Sequence, residues 1–129
     1  MALMAIKRSF ANILSDRLPE TRDFFSELLG LTVVYDSDWF VSLQDPDDPR
    51  HELGVWRRDH ELVPEPYRTA PSGTVLTFVV DDVDAVHRAA REQGREIVAP
   101  PRDTFYGQRS MLVKDPNGQL LDVCTPVAG

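Results

Sequence analysis

One cysteine in 129 residues, Cys124, leaves no partner for an internal disulfide, which points to a reducing, cytoplasmic setting. No apolar run approaches the ~20 residues that a membrane-spanning helix needs. The apolar start Met1–Ile6 is too short for a signal peptide, and its charges, Lys7 and Arg8, follow it instead of preceding it. Basic residues are scarce and scattered. Fourteen Lys and Arg stand against 21 Asp and Glu, for a net charge of −7, and only Lys7-Arg8 and Arg57-Arg58 are paired. That charge repels nucleic acid and anionic lipid at long range, so neither is an expected partner. Also missing are a glycine-rich phosphate loop and a Ser-His-Asp order.

What the chain does have is enough apolar residue, 42%, for a packed interior, arranged in a pattern that occurs twice. Phe10–Leu14 reads as a strand. Pro19 and Glu20 suit a first helical turn, Phe24, Phe25, Leu28 and Leu29 share a helical face, and Gly30 ends the helix. Leu31–Tyr35, Trp39–Leu43 and Glu52–Trp56 read as three further strands separated by Asp- and Pro-rich turns. Thr74–Val80 then starts the series again. Asp81-Asp82 can cap a helix bearing Val83, Val86 and Ala90 on one side, and Gly94 stops it. Strands follow at Ile97–Ala99, Arg109–Lys114 and Gln119–Cys124, the last two joined by the hairpin-turn sequence Asp115-Pro116-Asn117-Gly118. The result is one α+β domain over 1–129. Module one covers about 7–57, a Pro-rich linker or lid 58–73, and module two about 74–125.

The stretch Phe105-Tyr106-Gly107-Gln108-Arg109, with Lys114-Asp115-Pro116-Asn117-Gly118 and Leu121-Asp122-Val123, resembles the vicinal oxygen chelate superfamily. So does the run Asp23-Phe24-Phe25 to Leu29-Gly30-Leu31. Glyoxalase I, extradiol dioxygenases and bleomycin-resistance proteins belong to that superfamily. The resemblance implies tandem βαβββ modules curled into an open β-barrel around a site, completed in many members by a homodimer. It also implies, for the metal-dependent members, four ligands: one from the first and one from the last strand of each module.

The internal repeat locates those positions in this chain. Glu52 and Asp122 are each the seventh residue after the Asp of an Asp-Pro turn, Asp45 and Asp115, and so read as equivalent acids. Strand alternation turns both toward the cavity and away from Leu53, Val55, Leu121 and Val123. Aligning Asp16 with Asp81 pairs Phe10 with Val75 at the first-strand positions, and neither carries a lone pair to bind metal. No cofactor is therefore expected. The two acids could hold Mg²⁺ or Mn²⁺ through waters, but they make a poor Zn²⁺ or Ni²⁺ site. His51 neighbours Glu52 and points to the opposite face, His60 lies in the linker, and His87 lies on the second helix. Cys124 has no basic neighbour to lower its pKa and reads as a packing residue.

What remains is a pocket of aromatic walls with a few polar groups. The expected lining is Phe10, Trp39, Glu52, Trp56, Val75, Tyr106, Arg109 and Asp122. The leading expectation is metal-independent binding, or sequestration, of a cationic or aromatic natural product. The alternative is a metal-dependent lyase, dioxygenase or isomerase using Glu52 and Asp122 on a small oxygenated substrate.

Overall fold

Residues 4–127 are described by a computed structural model. Strand β1 (Ala11–Ser15) leads into helix α1 (Leu18–Leu29), then β2 (Thr32–Asp36), β3 (Phe40–Gln44) and β4 (Glu52–Arg57). After a linker with one 3-10 turn at Glu65–Tyr67 come β5 (Val75–Val79), α2 (Val83–Glu92), β6 (Glu96–Asp103), β7 (Gln108–Lys114) and β8 (Leu120–Pro126). The sheets have matching orders, β1-β4-β3-β2 and β5-β8-β7-β6, so the tandem βαβββ arrangement holds. In each, the last strand returns beside the first and runs parallel to it.

Local chemistry sets the helix limits. Pro19 sits in the first turn of α1, and Gly30 closes that helix at φ 71°, its N–H donating to the Ser26 carbonyl and the Leu31 N–H to the Phe25 carbonyl. A side chain with a Cβ is strained at that angle. Asp82 caps α2 by accepting the Ala85 N–H. The buried faces of both helices, Phe24, Phe25 and Leu28 with Val83 and Ala90, share one core with Val41, Leu43, Leu53 and Val55 of the first sheet. Met111, Val113, Leu121 and Val123 of the second sheet join them. The Phe25 and Phe78 rings meet across the modules at 6.2 Å.

The structure corrects two expectations. The first concerns β6, which runs on through Pro100 and Pro101 to Asp103 instead of stopping at Ala99. It is an edge strand, so a missing N–H can face away from its one neighbour, and the register shifts beside the prolines. The second concerns the two acids. The β3–β4 turn is closed by the Asp45 N–H on the His51 carbonyl, and the β7–β8 turn by the Asp115 N–H on the Gln119 carbonyl. The first turn is therefore two residues longer. Gln44 pairs with Glu52 where Lys114 pairs with Leu120, so Glu52 corresponds to Leu120, and Asp122 corresponds to Gly54. An even shift keeps the face, so both acids still point away from the core.

Candidate functional site

On the face of the second sheet away from the helices is a cavity of about 410 Å³. Alternation on β7 sends Met111 and Val113 into the core and leaves Ser110 and Leu112 on the cavity floor, beside Asp122 of β8 and Val75 of β5. The β6–β7 connection supplies the rim, with Phe105 fully exposed and Tyr106 largely so. Asp122 is held by hydroxyls: Ser110 donates to Oδ1 at 2.5 Å and Thr77 to Oδ2 at 3.2 Å. It takes part in no ion pair among the described residues.

Of the eight lining residues expected from the sequence, this cavity brings together Val75, Tyr106 and Asp122. Arg109 lies elsewhere. It shares strand parity with Met111 and Val113, and its guanidinium binds Asp84 of α2 at 3.1 Å and Asp103 at 3.2 Å. Those hydrogen bonds raise the Arg109 pKa and lower that of Asp84. Trp39 and Trp56 pack together edge to face at 5.5 Å. Trp39 also stacks on His60 at 4.3 Å and leans on Phe40, so these aromatics fill the face of the first sheet against the linker.

Glu52 lines a separate cavity of about 570 Å³ at the junction of the modules, which shares Val75 with the first. Its carboxylate is neutralised by Arg8 through two hydrogen bonds of 2.7 and 2.5 Å, which lower its pKa. The Arg8 guanidinium lies 4.7 Å from the centroid of the Phe10 ring. The sequence reading missed Ser110 and Arg102 of the Asp122 cavity, and Thr77, which lines the junction cavity while its hydroxyl reaches Asp122. Counting alternate residues back from Leu112 would have found Ser110; the hydroxyl of Thr77 depends on the lateral pairing of β5 with β8.

The four positions where metal-dependent relatives carry ligands do not form a divalent-cation site. Phe10 and Val75 have no donor, and the counterpart of Asp122 is Gly54. A Cβ at Gly54 would collide with the Asn12 side-chain amide and press on the Phe40 ring. Asp122 alone, with two hydroxyls, falls short of the donor set that Zn²⁺, Mn²⁺ or Mg²⁺ takes from protein. No cluster of three or more His, Cys, Asp or Glu is placed to bind a metal among the described residues. Cys124 is buried, and burial followed by the neighbouring Asp122 charge raises its thiol pKa, which opposes a nucleophilic role. Among the described residues no helix is long and apolar enough to cross a membrane.

Known proteins of the same shape are numerous. A member of the glyoxalase/bleomycin resistance protein/dioxygenase superfamily from Sphaerobacter thermophilus is 21% identical with a TM-score of 0.76, covering 95% of this chain and 99% of its own. A glyoxalase/bleomycin resistance protein/dioxygenase from Nocardioides is 20% identical with a TM-score of 0.75, covering 99% and 88%. A virulence protein from Salmonella typhimurium is 22% identical with a TM-score of 0.72, covering 96% and 100%. At these identities the likeness shows the fold. No curated protein sequence matches the chain. The sequence model of the Glyoxalase/Bleomycin resistance protein/Dioxygenase superfamily, however, matches residues 9–123, nearly the whole tandem repeat, and with the paired sheets it settles the relationship: the chain belongs to that superfamily.

Proposed function

We propose that the protein binds a small organic cation with an aromatic face in the cavity of the second sheet, without a metal. The observation that carries this reading is Asp122: a carboxylate on the cavity floor, oriented by two hydroxyls and paired with no cation among the described residues, below an exposed Phe105-Tyr106 rim. A guest's ammonium group would supply the missing charge, and its ring would lie against the rim. The net charge of −7 favours approach of a cation. Glu52 is not part of this site, since it lines another cavity and already holds Arg8, so a paired-carboxylate mechanism has no geometric support. The same reading includes a cytoplasmic location, suited to a lone buried thiol, and a two-fold homodimer that covers the exposed face of β5.

Benzylammonium and its uncharged counterpart benzyl alcohol provide the test, by calorimetric titration. Asp122→Asn is expected to weaken benzylammonium about threefold to thirtyfold and to spare benzyl alcohol. Equal effects on the two would remove the charge argument, and wild-type protein that takes up neither probe would remove the site.

A further inference from the structure

The Glu52 side chain is only 6% exposed, yet the cation that neutralises it comes from outside the folded elements. Arg8 lies on the exposed arm preceding β1, in no helix or strand, and its own side chain is 59% exposed. The contact has the form of ligand recognition. One planar guanidinium donates through Nε and Nη2 to both carboxylate oxygens while its carbon lies over the Phe10 ring. Bidentate pairing plus a ring face is how proteins select guanidinium over other cations. Beside Glu52 the junction cavity continues, walled by Leu29, Leu31, Leu53 and Leu76.

We propose that Glu52 and Phe10 form a second binding site, selective for a guanidinium or amidinium group on a hydrocarbon tail, which the chain's own Arg8 occupies as a tethered competitor. The tail would lie along the leucine walls of the junction cavity. Tethering gives Arg8 an effective concentration in the millimolar range for short flexible links, so a free ligand binds only as it displaces the arm. Apparent affinity is then reduced by the fraction of molecules in which the arm has left. The site does not depend on the reading of Asp122.

Phenylguanidine and its uncharged counterpart phenylurea test this on the full chain. By calorimetry, Arg8→Ala is expected to bind phenylguanidine at least about tenfold more tightly than wild type, and Arg8→Ala/Glu52→Gln is expected to lose that gain. Phenylguanidine should raise the thermal midpoint of Arg8→Ala, whose Glu52 carboxylate has lost its cation, and phenylurea should not. Phenylguanidine is also an aromatic cation that the Asp122 cavity would take, so the comparison is repeated in the Asp122→Asn background. There the gain of Arg8→Ala over its Arg8 parent should stay intact, which separates the two sites. If Arg8→Ala does not fold alone, refolding in phenylguanidine but not in phenylurea supports the site, and failure in both overturns it. It is also overturned if Arg8→Ala binds phenylguanidine no better than wild type, if phenylurea does as well, or if the double variant keeps the gain.

Discussion

Two carboxylates with the same intrinsic chemistry end in opposite electrical states here, and the difference lies in what each touches. Glu52 meets an arginine; Asp122 meets two hydroxyls, which orient a charge without cancelling it. The direction of each side chain was legible in the sequence, because apolar neighbours at Leu53, Val55, Leu121 and Val123 fix the parity. The partners were not, since Arg8 and Ser110 reach these acids through contacts between chain segments far apart or across a hairpin. Trp56 shows the same limit: its face was readable, but its packing against Trp39, beneath the stack with His60, was not. Trp56→Ala is therefore expected to destabilise the fold by about 2–3 kcal/mol, below the range for a fully buried Trp. Benzylammonium binding at Asp122 should be unchanged. Denaturant titration together with the calorimetric assay checks both, and a change in binding without a change in stability would place Trp56 in the site after all.

At the scale of elements, the two hairpin turns had similar Asp-Pro signatures but different lengths, and only the closing hydrogen bonds reveal the two extra residues. Counting from the aspartate therefore carried the right face and the wrong partner. The second turn also joins the modules. Asn117 accepts from the buried Ser15 hydroxyl at 2.6 Å and donates to Thr21 and Asp115 at 2.9 Å each. Removing it takes one partner each from Ser15, Thr21 and Asp115, at about 1 kcal/mol per lost hydrogen bond, although the two hydroxyls still contact each other at 3.2 Å. Asn117→Ala should cost about 2–3 kcal/mol near neutral pH. Burial raises the Asp115 pKa, opposed by hydrogen bonds from Asn117 and from neighbouring backbone N–H groups. A carboxyl whose pKa is raised by folding weakens the folded state as pH climbs through the raised value. Loss of the Asn117 donor deepens that weakening, so the variant's deficit should be larger at pH 7 than at pH 4. Urea titrations at both values measure it, and an equal or reversed difference would mean that Asn117 does not support the ionised Asp115.

At the scale of the whole molecule, the helices and one shared core lie on one side of both sheets, and the opposite faces carry the cavities. The repeat made this architecture legible early, because matched strand and helix order survives small changes in loop length. The exposed edges are a separate matter. Strand β5 has a partner on one side only, and along its outward face Val75 and Val79 are 52% and 63% exposed. An apolar edge strand left open invites pairing or aggregation. A second copy related by two-fold symmetry would present the same edge and bury both faces at once. A stable interface of this kind removes about 1,200–2,000 Å² from solvent. The wild-type protein is expected to scatter light as a dimer of the 14.6 kDa chain across the micromolar range. Val79→Asp places two charges against each other at the symmetry-related edges and should shift that mass to the monomer while the chain stays folded by circular dichroism. A monomeric wild type would remove the dimer altogether. A Val79→Asp protein that remains dimeric would move the interface away from β5, to a surface that leaves this edge open to solvent.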